Sequence, residues 1–173
     1  MLGLYLSDLK YKQQIFAADG APVGMLKILL SDGSGANFLY RLMQATARFR
    51  FLMPLSILIQ YVNKLLNHCV IGMKADFGPG FVLMHPTGVV INSMVRGGSG
   101  VVLESGVVIG GEKGKCPVLG NTIFVGAGAK IIGGVVIGDD VKVGANAVVV
   151  KNVDAGLTVV GIPAKAVVRS CNS

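Results

Sequence analysis

Val125–Val150 reads VGAGAKIIGGVVIGDDVKVGANAVVV, and large aliphatic residues recur in it every six positions: Val125, Ile131, Ile137, Val143 and Val149. Counting back in sixes carries the series through Leu119, Lys113, Val107, Val101, Val95, Val89, Leu83 and Phe77 to Ile71. Thirteen of these fourteen positions are apolar, and Lys113 is the exception. The next residue is often Gly, as at Gly72, Gly78, Gly120, Gly126, Gly138 and Gly144. Four places after the aliphatic comes a small or β-branched residue, as at Ala75, Ser93, Ala129, Val141 and Ala147. A helix repeats every 3.6 residues and an ordinary strand every two, so neither generates this pattern. A three-sided prism does. Each hexad forms one flat side, three hexads complete a coil, and stacked coils pair by backbone hydrogen bonds about 4.8 Å apart. Fourteen hexads predict a parallel β-helix of four to five coils, stabilised by stacking along its axis.

The 173 residues suit one domain with a small appendage. With 52% hydrophobic and 14% charged residues, the chain is not disordered and can bury a large core. The net charge of +7 divides as +4 over residues 1–70 and +3 over 71–173. No block of like charge stands out, which argues against a nucleic-acid arm. A mild positive field suits an anionic ligand. Cys69, Cys116 and Cys171 are too widely spaced for a disulfide framework or a metal site, so a reducing, cytoplasmic compartment is expected. Met1–Leu9 lacks the basic start and apolar run of a signal peptide. Phe51–Leu66 is the longest apolar stretch, but Pro54, Gln60, Asn63 and Lys64 interrupt it, and a membrane span needs about 20 apolar residues.

The first 24 residues are weakly patterned, and Ser31–Gly35 (SDGSG) reads as a break. Helix is expected from Phe38 to about Asn67, divided near Pro54. Leu39, Leu42, Met43 and Phe49 fall on one face of it, with Arg41 and Arg48 opposite. Such a basic amphipathic helix packs on its own oligomer or makes peripheral contact with an anionic membrane through residues 38–66. The expected organisation is an N-terminal region over 1–68, helical mostly from about 38, a β-helix over 69–168, and a tail over 169–173. Lys113 lies in GGEKGKCP (Gly110–Pro117), which is too polar for a core and should loop out of the prism. A loop on a rigid scaffold is a usual place for function.

The hexads, HPTGVVI (His85–Ile91), VVIGG (Val107–Gly111), KCPVLG (Lys115–Gly120), GAGAK (Gly126–Lys130) and the exit VVGIPAKAVV (Val159–Val168) together resemble a known family. It is the hexapeptide-repeat, left-handed β-helix acyltransferases, and within them the serine acetyltransferase-like branch. The resemblance covers about residues 65–168. It implies an all-β left-handed parallel β-helix with a short N-terminal α-helical region. It also implies acetyl-CoA as co-substrate, no metal, and a homotrimer with active sites at subunit contacts. A metal-dependent hydratase of the same fold needs three His ligands, and this chain has two His in all.

By that resemblance His85 is the general base that takes the hydroxyl proton. The second active-site His of serine acetyltransferases is replaced by Cys116, and the Arg before it by Lys115. Cys116 is either a nucleophile that accepts the acetyl group or a small wall of the pocket. The family's Asp immediately before the first His is Met84 here, and the Asp fifteen residues before it is Val70. With those acids gone, the expected acceptor is a hydroxyl of a sugar or polysaccharide precursor. Serine O-acetylation for cysteine synthesis is the alternative, and a non-catalytic β-helix scaffold the second alternative. The resemblance places the coenzyme A contacts at Gly111, Ala127, Lys142 and Ala145; the thioester oxygen gains charge as it reacts, and a backbone N–H of the Gly110–Gly111 turn is the expected donor to it. His68, at the end of the helical region, reads as structural.

Overall fold

The hexads fold into a three-sided parallel β-helix in the computed structural model, which describes residues 1–167. The exit beyond Val167, the expected tail and Cys171 lie outside the described residues. The first coil is β1 (Val70–Ile71), β2 (Asp76–Phe77) and β3 (Val82–Leu83). The second is β4 (Val90–Ile91), β5 (Arg96–Gly97) and β6 (Val102–Leu103). The third is β7 (Val108–Gly110), β8 (Val118–Leu119) and β9 (Phe124–Val125), and the fourth is β10 (Lys130–Ile132), β11 (Val136–Ile137) and β12 (Lys142–Val143). A fifth coil follows in β13 (Val148–Val149), a bridge from Val153 to Ile137, and β14 (Thr158–Val160). β15 (Lys165–Ala166) closes that end by folding back antiparallel on β14. Every third strand stacks, giving a first face β1-β4-β7-β10-β13, a second β2-β5-β8-β11 and a third that runs from β3 to β14.

The register corrects the count in sixes. Ile71, Ile91, Ile109, Ile131 and Val149 pair in line up the first face, all buried. On the third face Leu83 pairs with Leu103 and Leu103 with Val125. Leu83 to Ile91 is therefore eight residues, and Ile109 to Leu119 is ten. The two insertions, of two and four residues, add up to one hexad, so the sixes resume in phase at Leu119. Val89, Val95, Val101 and Val107 are fully buried, but each lies two residues before the inward strand position. Lys113 violates no strand, because it sits in the second insertion with φ +49°.

Helix is present far earlier than the periodicity suggests. The N-terminal region holds α1 (Leu2–Ala18), α2 (Met25–Leu29), α3 (Ser34–Thr46), a 3-10 turn over Arg50–Leu52, and α4 (Met53–Asn67). Pro54 marks the first turn of α4, where its missing N–H costs nothing. α1 buries Tyr5, Asp8, Leu9 and Lys12. Those positions have helical spacing, but two are charged, so no apolar stripe shows in the sequence.

The charged residues answer a need of the β-helix. The outer edge of the first coil has no further coil to bond, and an edge of bare N–H and C=O groups must be paired or covered. Asp8 Oδ1 accepts the Phe81 N–H at 3.0 Å, and Asn37 accepts the Leu83 N–H at 3.0 Å while donating to the Phe81 carbonyl. Arg41 donates to the carbonyls of Phe77 at 2.8 Å and Gly78 at 2.7 Å. Tyr40 reaches Ala75 and Gln60 reaches Ile71, each at 3.0 Å. Beneath them Phe77 and Phe81 stack at 4.2 Å and plug the prism.

Arg41 was expected on a polar, outward face of its helix. It is instead 1% exposed, and its guanidinium grips both oxygens of Asp8 at 2.8 and 2.9 Å. On the expected apolar face Met43 is buried at the prism end and Leu39 and Leu42 pack against the same core, while Phe49 is exposed. No helix among the described residues is long and apolar enough to cross a membrane. Breaking the buried pair leaves an uncompensated charge. Arg41→Ala should therefore lose about 3–5 kcal/mol in urea unfolding. The exposed Arg48→Ala should change stability by less than about 0.5 kcal/mol.

Candidate active site

His85 stands in the first insertion, on the edge of the prism between the third and first faces. Its Nδ1 lies 2.9 Å from Oδ2 of Asp32, with both side chains more than half exposed. Asp32 comes from the turn between α2 and α3. The Gly33 N–H donates to its other oxygen at 2.9 Å. Gly33 has φ +78°, and a Cβ there would collide with the Leu83 carbonyl. Only glycine lets this turn press onto the strand that leads into His85.

A contact this exposed adds little stability. Its use is orientation. A carboxylate on Nδ1 fixes the Nδ1–H tautomer and leaves Nε2 bare toward solvent, as a general base requires. The sequence offers no acid for His85 at the family's positions, where Met84 and Val70 stand. The structure supplies one from 53 residues away. The only trace of it in the sequence is an Asp-Gly pair within the SDGSG break.

Cys116 lies elsewhere. It closes the second insertion, on the edge between the first and second faces. Glu112 and Lys115 pair across that loop, which projects into solvent. The Cys116 thiol donates to Asn92 Oδ1 at 3.4 Å. A Cβ on Gly111 would come within 2.6 Å of Sγ, so Gly111 makes room for the thiol. Within one chain, then, Gly111 and Cys116 share one edge and His85 occupies another.

Ala127 and Ala145 do share the edge of His85. Successive corners of this edge are tied by N–H donation from Gly106 to Thr87, Gly128 to Ser105 and Asn146 to Ala127, at 2.7–2.9 Å. Ala127 and Ala145 are exposed, and their methyl groups leave the backbone of this edge accessible over successive coils. A long, thin ligand can lie along it. Lys142 is off this edge, on the third face, in an open cleft of about 530 Å³ with Asp140 and Thr158. His68 is backbone architecture: it ends α4 in a left-handed conformation, and its carbonyl accepts the Gly88 N–H at 2.9 Å.

Residues 116–151 match the family described as bacterial transferase hexapeptide (six repeats). A serine acetyltransferase of Helicobacter pylori is 38% identical over 168 residues, covering 94% of this chain and 98% of the relative. The serine acetyltransferase of Neisseria gonorrhoeae, solved in complex with serine, superposes with a TM-score of 0.86 at 30% identity, over 96% of this chain and 68% of that one. A serine acetyltransferase solved in complex with CoA gives 0.86 at 26% identity, over 95% and 68%. These relatives overturn the expectation of a sugar or polysaccharide acceptor. That expectation rested on missing acids, and Asp32 places one beside His85. Sharing the left-handed β-helix and nearly the full length of the Helicobacter enzyme, the chain belongs to the serine acetyltransferase family of hexapeptide-repeat acyltransferases.

Proposed function

We propose that the chain transfers the acetyl group of acetyl-CoA to the hydroxyl of L-serine. The pairing of His85 with Asp32 carries this reading. Nε2 of His85 removes the hydroxyl proton as the serine oxygen attacks the thioester carbon. The C–S bond breaks, and the imidazolium returns the proton to the departing sulfur. The products are O-acetylserine and the free thiol of CoA. The Asp32 carboxyl group faces the transient imidazolium at 2.9 Å and holds the ring in place. Its exposed carboxylate also gives the edge a negative charge toward the serine ammonium.

The bare edge through Ala127 and Ala145 suits the pantetheine arm, which needs close approach to backbone rather than large side chains. Lys142 stands on the neighbouring third face, where its exposed ammonium can meet the phosphate end of the molecule. Gly111 completes the contacts only from a second copy. We place that copy in a homotrimer, a closed ring in which each prism sets its Cys116 edge against the His85 edge of the next. Both edges border the first face, whose Val90 is 42% exposed. From that face a cleft lined by Ile57, Tyr61 and Val70 leads onto α4. Cys116 is a wall of the shared pocket, its thiol already engaged by Asn92.

Thiol release from acetyl-CoA should depend on added serine. His85→Gln should lower kcat by roughly 10²–10⁴-fold. A folded wild type that releases no thiol with serine would refute the reading. Cys116→Ser should stay within about tenfold of wild type, because removing a covalent nucleophile costs orders of magnitude more.

A further inference from the structure

We propose that Lys12 is a positioning residue for the reaction: its buried ammonium clamps the Asp32 turn onto the strand that leads into His85. Only the kinetic part of the test rests on the serine acetyltransferase reading. Lys12 lies on α1 and is 3% exposed. Its Nζ donates to the backbone carbonyl of Asp32 and, at 3.3 Å, to that of Leu83. Asp32 carries the acid that holds His85, and Leu83 is two residues before His85. One ammonium thus joins the two backbone segments whose side chains form the pair. Gly33 packs against the same Leu83 carbonyl, so turn and strand meet at the atom to which Lys12 donates. Lys12 is buried and its hydrogen bonds go to Asp32 and Leu83 rather than to His85, so it acts through Asp32.

The charge of this ammonium is finely balanced. Burial pushes its pKa down to about 8, against the pull of Asp32 from the α2–α3 turn and Glu104 at the end of β6. His85 is reached only through Asp32, and Asp8 on the same helix is committed to Arg41. Above pH 8 the amine becomes neutral, and its hold on two carbonyls weakens. Catalysis should fall there. Stability should move the other way. The unfolded chain keeps this proton to about pH 10.5 and the folded chain releases it near 8, so between those values rising pH favours the fold at this group. An alkaline loss of activity in that window is then loss of positioning, not unfolding.

The test is steady-state kinetics against pH, with serine and acetyl-CoA, on the full chain and its Lys12→Met and Lys12→Arg variants. Lys12→Met should lower kcat on the order of 10²-fold near neutral pH, leave KM for acetyl-CoA within about twofold, and abolish the alkaline limb near pH 8. Lys12→Arg keeps its charge, so it should rescue part of kcat and move the limb upward. Wild-type kcat and an unchanged pH profile in Lys12→Met would overturn the clamp, even with a lowered Tm. If that variant does not fold, the wild type still decides. The ring signals of His85 in nitrogen NMR must shift as the Lys12 amine, followed by its own nitrogen signal, loses its proton, and a ring indifferent to that step overturns the proposal. A folded wild type whose His85 ring follows the Lys12 titration without acetylating serine would refute the acceptor and leave the clamp standing.

Discussion

A β-helix has an open end, and the backbone groups there have no next coil to pair with. In this chain the N-terminal helices meet that demand with side chains. Asp8, Asn37, Arg41, Tyr40 and Gln60 satisfy the N–H and C=O groups of the first coil, from Ile71 round to Leu83. Among the described residues no buried side-chain nitrogen or oxygen is left without a partner. Each of these bonds requires a particular helix at a particular place, so the cap fixes how the helices sit on the prism. The α2–α3 turn then has one location, over Leu83, and that location puts Asp32 on His85. The same constraint that covers the fold's exposed edge brings Asp32 and His85 together.

The prism in turn decides where chemistry can be. Its inward positions are aliphatic or aromatic, save Gly97, which makes room for the Phe77 ring, and a titratable group there would lose its hydration without a partner. His85 and Cys116 both sit where the coil departs from its period, one in an insertion of two residues and the other in an insertion of four. An insertion lets the chain leave the edge, so a polar side chain can project without disturbing the stack. The edge of His85 continues as small residues, and the edge of Cys116 carries a loop.

The β-helix was legible because hexads repeat a local rule many times, and the run from Leu119 to Val149 follows it without a break. The insertions were hidden because together they equal one hexad. Val89 to Val107 therefore looked in register while standing two residues early, and they are buried all the same. α1 was hidden for another reason. Its buried face is half charged, since it serves backbone groups rather than an apolar core. Arg41 misled in the same way: helical spacing set it opposite the leucines, while tertiary pairing with Asp8 buried it. His85 could be singled out as the titratable base of the repeat region, but Asp32 could not. No spacing rule links residues 32 and 85, and the absence of the family's acids pointed the acceptor away from serine.

The account turns on Asp32 delivering a hydrogen-bond acceptor to Nδ1 of His85. Nitrogen NMR of the His85 imidazole reads this directly. The neutral ring should carry its proton on Nδ1, with Nε2 unprotonated, and Asp32→Asn should shift the population toward the other tautomer. A ring protonated on Nε2 in the wild type, or a tautomer unchanged by Asp32→Asn, would contradict the account.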